Sequence, residues 1–267
     1  AYERELALRH CPDISPFAFA DYRGGTSTLL ATTAAVNLRA ILGGNLGDGL
    51  ERAGWAEHIA NFGLANLRDN GVSDPEHAIC MAIQALNLLG PVPILPAGCF
   101  ASRKVEDVDK LIAAHDWRST HKALWGRVAP LLASGLVDGA WRRRLFDAIC
   151  NRLRNSAGLV DFGLDPDADA ARTISVLYHI GMIYYAARAP YPHAREMILR
   201  LLDINWPKKR LSTRRTLCSD ADWAWLLMVS TRQEPEYFPV AIENVRQVAL
   251  MRATEWNDRA IDLTSMS

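Results

Sequence analysis

The 267 residues carry 30 Lys plus Arg against 30 Asp plus Glu, a formal net charge of zero, which argues against nucleic acid as the main partner because such proteins draw on a basic excess. An apolar fraction of 49% with 22% charged residues excludes wholesale disorder. No apolar run approaches the roughly 18 residues that a membrane-spanning helix needs.

Taken in chain order, the periodicity predicts helices over 28–42, 50–65, 76–89, 105–115, 119–133, 140–153, 170–187, 193–203, 220–231 and 240–255. They fall into two alternating sets. The segments 28–42, 76–89, 119–133, 170–187 and 220–231 are rich in Ala and Leu and apolar nearly all round, as in Ala78, Ala82, Ile83, Ala85, Leu86, Leu88 and Leu89. A helix of that kind is buried on most sides. The intervening segments are amphipathic: Trp141, Leu145, Ile149 and Leu153 recur at helical spacing while Arg142, Arg143, Arg144 and Asp147 face elsewhere. Similar segments recur every 40–55 residues or roughly so, the range of solenoids and toroids. Strand patterns bounded by hairpin turns are nearly absent. The expected fold is therefore all-α, with buried helices forming an inner ring and amphipathic helices an outer one.

Punctuation supports these divisions. Gly43-Gly44, Gly90-Pro91 and Ala189-Pro190 follow the first, second and fourth buried segments, as expected where helices must stop. Pro130 lies inside 119–133 and is expected to kink or shorten that helix. No linker rich in Pro, Gly or Ser divides the chain, so a single domain over 1–267 is expected, with 1–20 as an N-terminal extension. The five cysteines (Cys11, Cys80, Cys99, Cys150, Cys218) form no paired spacing, which fits reduced thiols in a cytoplasmic protein. The start, Ala1-Tyr2-Glu3-Arg4-Glu5, lacks a signal-peptide layout and an initiator Met, the expectation being a trimmed chain.

The alternation resembles the α/α toroids of terpenoid cyclases and protein prenyltransferases. The residues that carry the resemblance are Trp55-Ala56-Glu57-His58-Ile59, Asp69-Asn70-Gly71, His77 and the Ala-rich helix ending at Gly90. They are echoed by Trp141 to Leu153, Ser156-Ala157-Gly158, Asp169 and the helix to Ala187. The similarity spans most of 20–256 as a pattern of hairpins, and implies an α/α toroid of about five to six hairpins. Carbohydrate-active toroids share that architecture, so the fold alone does not assign a reaction.

In such a ring all buried helices start at one end. The connections that enter them, 66–75, 116–118, 155–169 and 204–219, are mostly long, which marks that end as the working face. The residues there are polar: Asp21, Tyr22 and Arg23; Asp74 and His77; Arg118 and His121; Asp165, Asp167, Asp169 and Arg172; Asp220, Asp222 and Trp223. Helix capping accounts for an isolated Asp at such a position. It does not account for Arg23, Arg118, Arg172, His77 and His121, because cations are disfavoured at helix N-termini. Their convergence is expected to form a water-accessible mouth for a polar or anionic ligand. His77, Arg118, His121, Asp169 and Asp220 are the candidate catalytic residues, and Asp21, Tyr22, Arg23, Asp74, Arg172, Asp222 and Trp223 the candidate ligand contacts.

Several sharper chemistries are incomplete. Class II terpenoid cyclases use an Asp-x-Asp-Asp acid, whereas Asp165-Pro166-Asp167-Ala168 and Asp220-Ala221-Asp222-Trp223 each lack the second adjacent Asp. Cys218, Asp220 and His179 would have to supply a prenyltransferase-like zinc set from separate helices, and no metal or cofactor is expected. His179 reads as a core histidine bonded to a neighbour. The Arg23-Gly24-Gly25-Thr26-Ser27-Thr28 stretch reads as a helix cap, having neither the Lys nor the spacing of a P-loop. Three functions remain: a carbohydrate-handling protein, an enzyme on an isoprenoid in a cavity lined by Trp125, Tyr178, Trp223 and Trp225, or a non-catalytic scaffold.

Overall fold

A computed structural model describes residues 10, 12, 17, 28–41, 45–63, 75–90, 105–117, 121–154, 170–206 and 217–264. Among them the chain is all-α, with no β-strand. The helices are α1 (Leu29–Ile41), α2 (Gly49–Glu57) continued by a π-helical turn (His58–Gly63), α3 (Pro75–Leu89), α4 (Val108–Ala114) and α5 (Lys122–Ser134). There follow α6 (Gly139–Arg154), α7 (Ala170–Ala186), α8 (Ala194–Asp203), α9 (Leu217–Ser230) and, after a 3-10 turn at Pro235–Tyr237, α10 (Phe238–Thr264). Among the described residues no helix is long and apolar enough to cross a membrane. Pro130 does not end its helix: α5 runs past it to Ser134. The connections 67–74, 118–120, 155–169 and 207–216 lie outside the described residues.

The chain divides into two compact units. The first comprises Ala1–Asp116, His121–Ala148 and Met182–Pro190, the second Trp117–Thr120, Ile149–Gly181 and Tyr191–Ser267.

In the first unit three of the Ala-rich helices lie side by side, α1 against α3 and α3 against α5, with α2 and its π-helical turn packed on α3 and α1 respectively. The reason is visible in α3, where Ala78, Ile79, Cys80, Ala82, Ile83, Ala85, Leu86 and Leu89 are all buried. The alanines let two neighbours approach opposite sides, while each buried Ile or Leu contributes on the order of 1.5–3 kcal/mol. One polar pair sits within this contact: Asn37 donates to Gln84 at 3.4 Å. The amphipathic helices are started by carboxylates. Asp48 accepts from the amides of Leu50 and Glu51 in a capping box, Asp107 accepts from those of Asp109 and Lys110, and Asp138 accepts from the amide of Trp141 at 2.7 Å. Thr28 accepts from the amide of Ala31 at the start of α1, the capping role expected for it. A further lock holds the far end of α3, where Arg188 donates to Asn87 and Asn87 donates to the carbonyl of Tyr185 at 2.9 Å.

In the second unit α9 packs against both α8 and α10. On α8, Ala194, Met197, Ile198 and Leu201 form a buried stripe while Arg195, Glu196 and Leu199 are exposed. This is the three-and-four spacing of a helix with one apolar face. Gly181 on α7 permits close contact with α9, since a Cβ there would lie 2.8 Å from a methyl of Leu226.

Candidate functional site

The first turn of α5 gathers the chemistry of the first unit. α4 ends at His115, whose backbone is extended, and α5 is entered through His121, which holds the left-handed conformation at φ 58° and ψ 8°. A non-glycine residue in that region costs roughly 1–2 kcal/mol, and non-glycine exceptions concentrate where the surroundings enforce them. At His121 the side chain meets a second histidine. His115 Nε2 and His121 Nδ1 lie 2.6 Å apart, with ring centroids at 4.9 Å. The His121 side chain makes no capping bond, while its carbonyl accepts the amide of Trp125 at 2.9 Å, the first bond of the helix.

Such a contact accommodates one N–H between two rings, so one imidazole donates and its partner accepts. His121 is wholly buried and His115 half-buried. Burial pushes the His115 imidazole below its ordinary value; Asp116 opposes this and the positive charge of Arg127 reinforces it. Arg127 is itself held by Glu106, its Nε donating to Oε1 at 3.1 Å. The local balance therefore favours a neutral His115 ring, the state in which a ring nitrogen can accept a proton.

His77 reaches the first turn of α5 from α3. Its ring meets the buried Trp125 of α5 edge-on, with centroids 5.5 Å apart at 85°. The Cys80 thiol, one turn further along α3, reaches the Trp125 carbonyl at 3.8 Å. Two candidate residues, His77 and His121, thus converge on the first turn of α5. His115, the partner of His121, was not among the sequence candidates. Its signal was present as two histidines flanking one short interhelical connection.

The remaining described candidates lie in the second unit. Arg172 is exposed in the first turn of α7. Asp220 is buried and accepts from the indole N–H of Trp206 at 2.9 Å. Trp223 is buried and donates to the carbonyl of Leu201 at 3.1 Å. Asp222 is partly buried, and burial raises its carboxyl to about 7. His179 donates Nδ1–H to the carbonyl of Ser175 at 2.7 Å, and Tyr178 stands edge-on to Trp225 at 5.3 Å. Among the described residues no three His, Cys, Asp or Glu side chains gather as a metal set. Asp21, Tyr22, Arg23, Asp74, Arg118, Asp165, Asp167 and Asp169 lie outside the described residues. In comparisons with known proteins, no family model matches the chain, and neither a curated protein nor a solved structure is found similar to it.

Proposed function

We propose that this chain handles a polar ligand of the carbohydrate kind at the first turn of α5, using the His115–His121 pair for proton transfer and His77 as an adjacent contact. The observation that carries the reading is the 2.6 Å contact between the two rings. A pair sharing one proton offers a donor and an acceptor together near neutral pH, which suits hydroxyl and carboxylate groups. Arg118, three residues before His121 in sequence, belongs to the proposal as an anion-binding group. The α1–α3–α5 row supports the further proposal that the Ala-rich helices form the inner wall of an α/α toroid.

A second reading, a non-catalytic scaffold, is favoured by the use of the aromatic residues of the second unit in packing. Trp206 and Trp223 are both buried and hydrogen-bonded to protein groups, and Tyr178 and Trp225 pack on one another. That consumption of aromatics also favours a polar ligand over an isoprenoid.

A thermal-shift screen against oligosaccharides, uronic acids and prenyl diphosphates separates the readings. A ligand at a hundred times its Kd adds about 2.7 kcal/mol of stability. The carbohydrate reading expects a shift with a sugar or uronate that is lost in His77→Ala and His121→Asn, with the unliganded melting temperature nearly retained in His77→Ala. A shift with prenyl diphosphates alone overturns it, and no shift with any class transfers support to the scaffold.

A further inference from the structure

We propose that the His115–His121 pair is a pH-sensitive latch joining the end of α4 to the start of α5, closed when the rings share one proton and opened by a second. This goes beyond ligand handling and holds whether or not a ligand binds.

Three observations converge on it. The N···N separation of 2.6 Å leaves room for one hydrogen between the rings. A doubly protonated pair would oppose two N–H groups and two positive charges at that distance, so one ring must turn away. The contact also holds a backbone conformation that histidine seldom adopts, φ 58° at His121, so its loss removes what keeps that residue left-handed. Finally, the His121 carbonyl accepts the Trp125 amide. A change in φ at His121 is therefore transmitted to the first hydrogen bond of α5, and through Trp125 to its edge contact with His77.

The surrounding charges favour the closed state near neutrality and release it in mild acid. On α5, Arg127 disfavours a second proton, damped by its pairing with Glu106, and Lys122 stands exposed at the first helical position. Asp116, next to His115, favours protonation. From α3 the titratable groups are His77 against the Trp125 ring and the Cys80 thiol at the Trp125 carbonyl. His115 resists protonation because it is half-buried. The device belongs to the histidine class of switches, in which protonation breaks a contact between two elements.

The test is an NMR titration of the full chain from pH 8 to pH 5, following the ring resonances of His115 and His121 together with hydrogen exchange at the Trp125 amide. The latch expects the two rings to titrate in separate steps at least one pH unit apart, as coupled groups do. It also expects exchange at Trp125, corrected for its intrinsic pH dependence, to accelerate at least tenfold across the second step. His115→Gln retains a neutral hydrogen-bonding group and should abolish that acceleration. His121→Asn keeps a side chain that tolerates the left-handed backbone and should do the same. Independent titration of the two rings, or unchanged exchange through the second step, overturns the proposal in the wild-type chain alone, even where a variant fails to fold. An acceleration that persists in both variants overturns it equally.

Discussion

The indole N–H of Trp206 donates to Oδ1 of Asp220 at 2.9 Å, with both side chains buried in the second unit. This carboxylate supplies a partner to a large aromatic that would otherwise bury its N–H without an acceptor. Asp220→Ala should therefore destabilise the chain by roughly 2–4 kcal/mol, combining a lost acceptor with a small cavity. Asp220→Asn keeps a carbonyl oxygen in place and should cost about 1 kcal/mol. Urea denaturation with m-values checked for constancy measures both. Equal losses in the two variants would show that the charge, rather than the acceptor, matters.

Asp222 lies two residues along the same helix in a different electrostatic setting. Burial raises its carboxyl to about 7, and no hydrogen bond or ion pair to it is found among the described residues. A carboxyl whose folded value exceeds its unfolded one favours folding in its neutral form. That contribution is complete at low pH and is lost as pH rises from the ordinary value of 3.8 toward 7. Asp222→Asn should consequently raise stability at pH 8 by on the order of 1–3 kcal/mol while changing it little at pH 4. Paired denaturation curves at the two pH values test this, and an equal effect at both would refute the assignment.

The opposite sign holds for His115. Its folded value is below the ordinary 6.5 because burial penalises the imidazolium. The neutral ring is favoured in the fold, so stability is complete above pH 6.5 and declines as pH falls from there toward the folded value. His115→Gln should flatten the stability profile between pH 7 and 5 or roughly that window, measured by thermal melting across the range. A profile that is unchanged by the substitution would assign the acid sensitivity to another group.

Two further left-handed residues differ in what their side chains do. His193 enters α8 at φ 60° without a side-chain cap bond. Arg188, at φ 52°, donates to Asn87 at 3.1 Å and to the Gly90 carbonyl at 3.4 Å. His193→Gly should stabilise by up to about 1 kcal/mol, because glycine adopts that region without the Cβ penalty. Arg188→Gly relieves the same penalty but removes both bonds, and its net effect should lie within about 0.5 kcal/mol of zero. Melting temperatures of the two variants measured side by side decide it; a larger gain in Arg188→Gly would reverse the argument.

The all-α class, the positions of the ten helices found among the described residues and the division into Ala-rich and amphipathic sets follow from the sequence alone. Hydrophobic period and capping chemistry are local: Asp48, Asp107 and Thr28 cap the helix starts beside which they stand. At Pro130, where a kink or a shortened helix is expected, the helix does not stop, because a buried apolar stretch can outweigh one lost backbone bond.

The working chemistry was less legible because it depends on distances across helices. Asp220 and Trp223 share an end of α9 with Asp222, and their sequence spacing invites a catalytic reading. Only tertiary structure decides that Asp220 meets Trp206 and that Trp223 meets Leu201. His115 and His121 are six positions apart and flank one short interhelical connection, but that spacing does not say whether the rings meet. Their rings lie 2.6 Å apart in the structure, and side-chain proximity of this kind is a property of the packed chain rather than of its periodicity.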